Sequence, residues 1–120
     1  MSTESDSSFR LPSVRYRRVF DARNVWRGRL LVMHVRREPD AGRKAGVVVS
    51  KRVFPRAVDR NRAKRLMREA FRLGREKFAD DVELILVARA GIAGKKMPEV
   101  ASEIAYFRRK AGLDRPASGT

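Results

Sequence analysis

The stretch DRNRAKRLMREAFR, Asp59 to Arg72, constrains this chain more than any other. Nearly half of it is Arg or Lys. Like charges three or four apart on a helix cost roughly 0.2–0.5 kcal/mol per pair, so a helix here must be held by packing. Placing residues about 100° apart, with Arg60 at zero, shows how. Ala63, Leu66, Met67, Ala70, Phe71, Leu73 and Phe78 fall in one arc, roughly 220° through zero to 20°. Lys64, Arg65, Arg68, Arg72 and Arg75 fall between roughly 40° and 140°, with Asn61 among them and Glu69 and Glu76 at the border. The pattern predicts a helix over 58–78 with one face packed and one face cationic. An ordinary solvated face relieves repulsion with Glu at i,i+4. A stripe segregated in this way points to RNA or DNA.

The apolar arc needs a sheet to cover, and the sequence supplies strands. RLLVMHVRR (29–37) and AGVVVSKRV (45–53) read as two strands of an antiparallel hairpin across the turn-rich EPDAGRK. A third strand lies near 82–89 in ADDVELILVARAG. Pro12-Ser13 opens a short helix over 13–23, on which Val14, Tyr16, Val19, Phe20 and Val25 fall near helical spacing. A final helix over 98–111 stops near Gly112. The order is α-β-β-α-β-α, an α+β fold with helices packed on a small mixed sheet. Residues 10–113 read as one domain. The polar tails 1–9 and 114–120 read as disordered.

Composition narrows the partner. The 120 residues carry a formal net charge of +15, with Arg well in excess of Lys. Guanidinium binds phosphate bidentately and stacks on bases. There is no Cys and only one His, His34, which excludes thiol chemistry and a His-rich metal site. No apolar run reaches the ~20 residues of a membrane span, and MSTESDSSFR lacks the layout of a secretory signal. The expected setting is cytoplasmic, without a membrane. A protein nuclease needs clustered carboxylates or an acid–base set. The 14 carboxylates include no Asp-x-Asp, and His34 has no evident partner. No catalytic residue, metal ligand or protein-bound cofactor is therefore assigned. Open alternatives are a ribosomal-type or chaperone-like RNA-binding protein, a DNA-binding regulator using Arg60–Arg75 in a groove, and, least favoured, an autonomous nuclease.

VSKRVFPRAVDRNRAKRLMREAFR, Val49 to Arg72, resembles the signature region of the bacterial ribonuclease P protein subunit. In that family a strand ending in Ser-Lys-Lys or similar leads into Arg-Asn-Arg-x-Lys-Arg-x-x-Arg-(Glu/Gln)-x-Phe. Ser50, Lys51, Arg60, Asn61, Arg62, Lys64, Arg65, Arg68, Glu69 and Phe71 occupy the matching positions. RYRRVF is similar to the family's first helix and VELILVAR to its last strand, so the likeness spans about residues 9–113. It implies a left-handed β-α-β crossover, a hand that general rules would not have chosen. It also implies an activity: removal of the 5′ leader from precursor tRNA, with the chemistry carried by a catalytic RNA subunit and Mg²⁺ held mainly by that RNA. The implied partners are the RNA subunit and precursor tRNA, with no protein partner required.

Two surfaces follow from the resemblance. Arg60, Asn61, Arg62, Lys64, Arg65, Arg68 and Arg72 are expected to bind the RNA subunit. The alternative for Asn61 is a helix-start residue satisfying backbone N–H groups. Tyr16, Phe20, His34, Ser50, Lys51 and Arg89 are expected to line a cleft for the single-stranded leader. Residue chemistry alone favours Phe20 as core and Tyr16 as exposed, and the resemblance moves both toward the leader. His34 stands where relatives often carry Tyr, which puts a titratable ring at that contact. FPRAVD departs from the family's Gly-containing loop and leaves its path open.

Overall fold

The computed structural model describes residues 9–116; the expected disorder of 1–8 and 117–120 lies outside that range. A single 3-10 turn, Ser13–Arg15, leads into α1 (Tyr16–Asp21). Then come β1 (Asn24–Arg27), β2 (Leu31–Arg37), β3 (Lys44–Val48), α2 (Ala57–Gly74), β4 (Val82–Ala88) and α3 (Met97–Lys110). The strands form one mixed sheet in the order β1-β2-β4-β3. The fold class is α+β, as expected.

The expected hairpin of 29–37 with 45–53 does not form. β4 lies between those strands, antiparallel to β2 and parallel to β3. The reason is the composition of VELILVA, which is buried at nearly every position and needs a neighbour on both edges. The connection 38–43 is held over the start of β4 instead of turning back. Glu38 N donates to Asp81 O at 2.8 Å and Gly42 N donates to Asp80 O at 2.9 Å. The hairpin that does form joins β2 to β1 through the turn at Gly28. β1 escaped the sequence reading because NVWR is four residues long and half polar. Its presence shortens the first helix, which ends at Asp21, so Val25 belongs to the sheet; Val14 lies in the 3-10 turn before the helix and is solvent-exposed.

β3, α2 and β4 make the β-α-β crossover between adjacent parallel strands. Leu31, Met33, Val35, Ala45, Val47, Leu84, Leu86 and Ala88 point to one face of the sheet. Ala63, Met67, Ala70 and Phe71 of α2 cover them, together with Val100, Ile104 and Phe107 of α3. That burial supplies the stability that a charge-crowded α2 lacks on its own. Two members of the predicted arc behave differently. Leu73 is exposed, at the end of the helix. Phe78 is fully buried against Phe71, but it follows the 3-10 turn Arg75–Lys77 and is not on the helix. β3 stops at Val48, and the segment 49–56 turns through Lys51–Val53 before α2 begins.

The domain runs slightly past its expected limits. Ala45 N donates to Phe9 O and Leu11 N to Ala45 O, both at 3.0 Å, which adds a short parallel bridge to the free edge of β3. At the other end Asp114 bridges to Phe78, and Arg115 N donates to Lys77 O at 2.7 Å. Residues 114–116 are therefore part of the described fold. Gly112, at φ 69°, turns the chain after α3 in the left-handed conformation that suits glycine.

Candidate RNA-binding surfaces

The cationic face of α2 forms one wall of a groove of about 360 Å³. Asn61, Lys64, Arg65, Arg68 and Arg72 line that wall, with Glu69 at its margin. The facing wall is Phe9 and Arg10, and Ala45 and Phe71 contribute at the base. Arg72 pairs with Glu69 one turn back, and this bond holds the Glu69 carboxyl below its ordinary range. The groove thus has an apolar base under basic rims, a combination suited to a nucleotide strand. Phe9 and Arg10 were not foreseen, because sequence periodicity is blind to a segment pinned by backbone bonds.

The basic residues expected on α2 divide in the structure. Arg60 turns back and donates to Phe54 O at 2.9 Å and to Pro55 O at 2.7 Å. It ties down the loop whose path the sequence left open. Arg62 faces away from the groove and donates to Lys95 O at 3.2 Å. Arg75 donates to Arg43 O and Gly42 O, and its guanidinium sits 4.0 Å above the Phe9 ring. It therefore braces one groove wall instead of lining the stripe. Asn61 is the fifth residue of α2, counted from Ala57, so the helix-start alternative for it fails.

The second surface lies on the other face of the sheet. Register places Val25, His34, Ile85 and Gly46 in one row across the four strands. α1 lies along this row. Val19 is fully buried in a cluster with Ile85 and Leu11, and Phe20 meets the His34 ring edge-on at 4.7 Å. Tyr16 lies over Gly46, where even a Cβ would come within 2.4 Å of the Tyr16 hydroxyl oxygen. The residue-based expectation is reversed here. Tyr16 is half-buried, whereas Phe20 is 38% exposed. Gly46 was missed, although a Gly within AGVVV is a known sign of close approach.

Beside α1 the next row, Val32, Val87 and Val48, is only half-buried and forms an apolar floor. Ser50 and Arg89 follow Val48 and Val87 by two residues each, and those valines are register partners in parallel strands. They therefore stand at the same end of the sheet. Ser50 Oγ accepts from Arg52 N at 2.9 Å, and Arg89 donates to Gly28 O at 3.0 Å. Lys51 is exposed in the turn beyond. His34 Nδ1 is buried without a hydrogen-bond partner among the described residues. Burial, and then the nearby Arg27 charge, hold the imidazole pKa below its ordinary value, so His34 is neutral near pH 7.

Among the described residues no group of three or more His, Asp or Glu is placed to hold a metal ion. Asp81 and Glu83 are close in sequence, but Asp81 pairs with Arg37 and Glu83 is buried between Arg15 and Arg36. This donor set does not fit a divalent-cation cage. No described helix is long and apolar enough to cross a membrane.

Comparison with known proteins gives the lineage and the fold of the chain. A family model described as Ribonuclease P matches residues 11–112. A ribonuclease P protein component from Clostridium kluyveri is 34% identical over 100 residues, covering 82% of this chain and 88% of the relative. One from Alkaliphilus oremlandii is 31% identical over 98 residues, covering 82% and 85%. Among solved structures, a Staphylococcus aureus RNase P protein mutant with defective mRNA degradation activity superposes with a TM-score of 0.77 at 18% identity, covering 93% of this chain and 95% of that one. The RNase P protein from Thermotoga maritima gives 0.73 at 19% identity, covering 84% and 96%. The two solved structures speak for the fold, and the family match and the sequence relatives for the lineage: this chain belongs to the ribonuclease P protein family.

Proposed function

We propose that this chain is the protein subunit of a ribonuclease P that removes the 5′ leader from precursor tRNA, and that it works through its two surfaces separately. The α2 groove binds the RNA subunit, with Lys64, Arg65, Arg68 and Arg72 neutralising phosphates and the Phe9 side offering an apolar surface to a base or sugar. The cleft beside α1 holds the single-stranded leader, with Tyr16 and Phe20 as stacking platforms and Ser50, Lys51 and Arg89 at its open end. Arg60 and Arg62 support the groove from behind by fixing the loops they hydrogen bond. The observation that carries this reading is the separation of the surfaces: α1 and α2 lie on opposite faces of one sheet. One protein can then hold a structured RNA and a single strand at once.

Bond cleavage is assigned to the RNA subunit and its Mg²⁺, since the described carboxylates form no site for it. The test is reconstitution with ribonuclease P RNA at low Mg²⁺. The expected result is accurate 5′ cleavage that needs both components. Accurate cleavage by RNA-free, nuclease-free protein would overturn the assignment.

A further inference from the structure

α1 is only six residues long, and neither of its ends carries a side-chain cap. A helix that short does not persist by itself in water. Val19 contributes burial, but apolar contact is non-directional and would tolerate a rotation of the helix about that residue. Something must fix its bearing, because both cleft rings depend on it.

An ion chain does so at the start of the helix. Glu83 on β4 is fully buried, on the sheet face that α1 covers. Its Oε1 accepts from Arg15 at 3.2 Å and its Oε2 from Arg36 at 3.2 Å. The chain continues outward, from Arg15 to Asp40 at 3.0 Å and from Arg36 to Glu38 at 2.7 Å. Asp40, Arg15, Glu83, Arg36 and Glu38 thus join the start of α1, strands β2 and β4, and the 38–43 connection. Arg15 immediately precedes Tyr16. Glu83 and its register partners Arg36 and Lys44 form the row next to His34, Ile85 and Gly46. The helix therefore has an ionic lock along one side and the open apolar floor along the other.

A buried carboxylate is costly to desolvate and is a weak source of net stability. Its value is directional. Two guanidiniums held in fixed fork geometry define an orientation that methyl contacts do not.

We propose that Glu83 is a positioning residue for leader binding, acting through Arg15 to aim α1 so that Tyr16 and Phe20 flank the cleft. This inference rests on the leader reading of that cleft. It predicts that weakening the lock impairs leader recognition while leaving the α2 groove untouched.

The direct variant, Glu83→Gln, leaves two guanidiniums facing a neutral group and strains the fold. Arg15→Met is the cleaner test, because it keeps the apolar stem and leaves Glu83 paired with Arg36. Two readouts are needed. In the free protein, NMR of the His34 ring protons reports α1 directly, since the Phe20 ring shifts them. In the reconstituted holoenzyme, the affinity ratio for precursor over leaderless tRNA reports the cleft, and affinity for the RNA subunit reports the groove. Arg15→Met should move the His34 shifts and lower the precursor preference about tenfold, within the range of one stacked base. RNA-subunit affinity should stay the same, and Arg15→Lys should recover part of the preference. An unchanged preference in folded Arg15→Met would overturn the inference, and so would a parallel loss of RNA-subunit affinity. If the wild-type holoenzyme shows no precursor preference, the leader reading itself falls, while the His34 shifts still show whether Arg15 aims the helix.

Discussion

Tyr16 occupies the space that a side chain at position 46 would need, and only glycine lets the ring lie on β3. The first helix therefore depends on a missing methyl group in a strand remote from it in sequence. Gly46→Ala should push Tyr16 off the sheet and destabilise the fold by about 1–3 kcal/mol, as overpacking does. Pairing it with Tyr16→Ala should return most of that loss. Thermal or denaturant unfolding of the two single variants and the double variant measures the coupling. Additive losses would show that the two residues do not compete for the same space.

Tyr16→Ala alone tests the cleft. The holoenzyme should lose roughly 1–3 kcal/mol of affinity for precursor tRNA if the ring stacks on a leader base. Leaderless tRNA offers no such base and should bind as before. Phe20 serves as a second probe, because its partial exposure makes truncation milder than at a core Phe. Equal losses on both tRNA forms would remove Tyr16 from leader recognition.

Cations on α2 should separate by role. Arg65→Ala and Arg68→Ala should each reduce the salt dependence of RNA-subunit binding by about one phosphate, with the helix intact. Arg60→Ala should instead cost stability, on the order of 1 kcal/mol per lost hydrogen bond to the Phe54 and Pro55 carbonyls. Salt titrations and melts on the same three proteins make the comparison. A salt slope that falls for Arg60 but not for Arg65 would reverse these roles.

What was legible in the sequence was whatever repeats along the chain. The arc of Ala63, Met67, Ala70 and Phe71 and the stripe of Lys64, Arg65 and Arg68 follow from helical geometry alone, and both hold. The apolar run 82–88 gave its strand correctly, but not its central place, because pairing order depends on which strand needs two neighbours. Contacts between remote segments were illegible for the same reason. Nothing near Arg60 or Arg62 in sequence announces that loop carbonyls will claim their guanidiniums. Nothing near Glu83 announces Arg15, 68 positions away. The resemblance supplied Tyr16 and Phe20 as a pair, whereas their exposures came only from the fold.

His34 supports a prediction about pH. Its folded pKa lies below the ordinary value, about 6.5, because burial and Arg27 disfavour the charged ring. Between the folded value and about 6.5 the unfolded chain binds the extra proton. Stability is therefore complete above that ordinary value and falls as pH drops through the window toward the folded pKa. The ion-paired carboxylates Asp40 and Asp81 are also shifted down, by hydrogen bonds from Arg15 and Arg37. Their contribution is lost only as pH falls below about 4, so the two regions separate. Protonation would also set a second positive charge against Arg27. Melting temperature measured from about pH 5 to 8 should decline on the acidic side for the wild type. His34→Phe, which keeps an aromatic partner for Phe20 and cannot titrate, should flatten that decline. A direct NMR titration of the imidazole should give a midpoint below that of a free histidine. Matching slopes for the two proteins in this range, or a raised midpoint, would show that the ring is not held neutral by its surroundings.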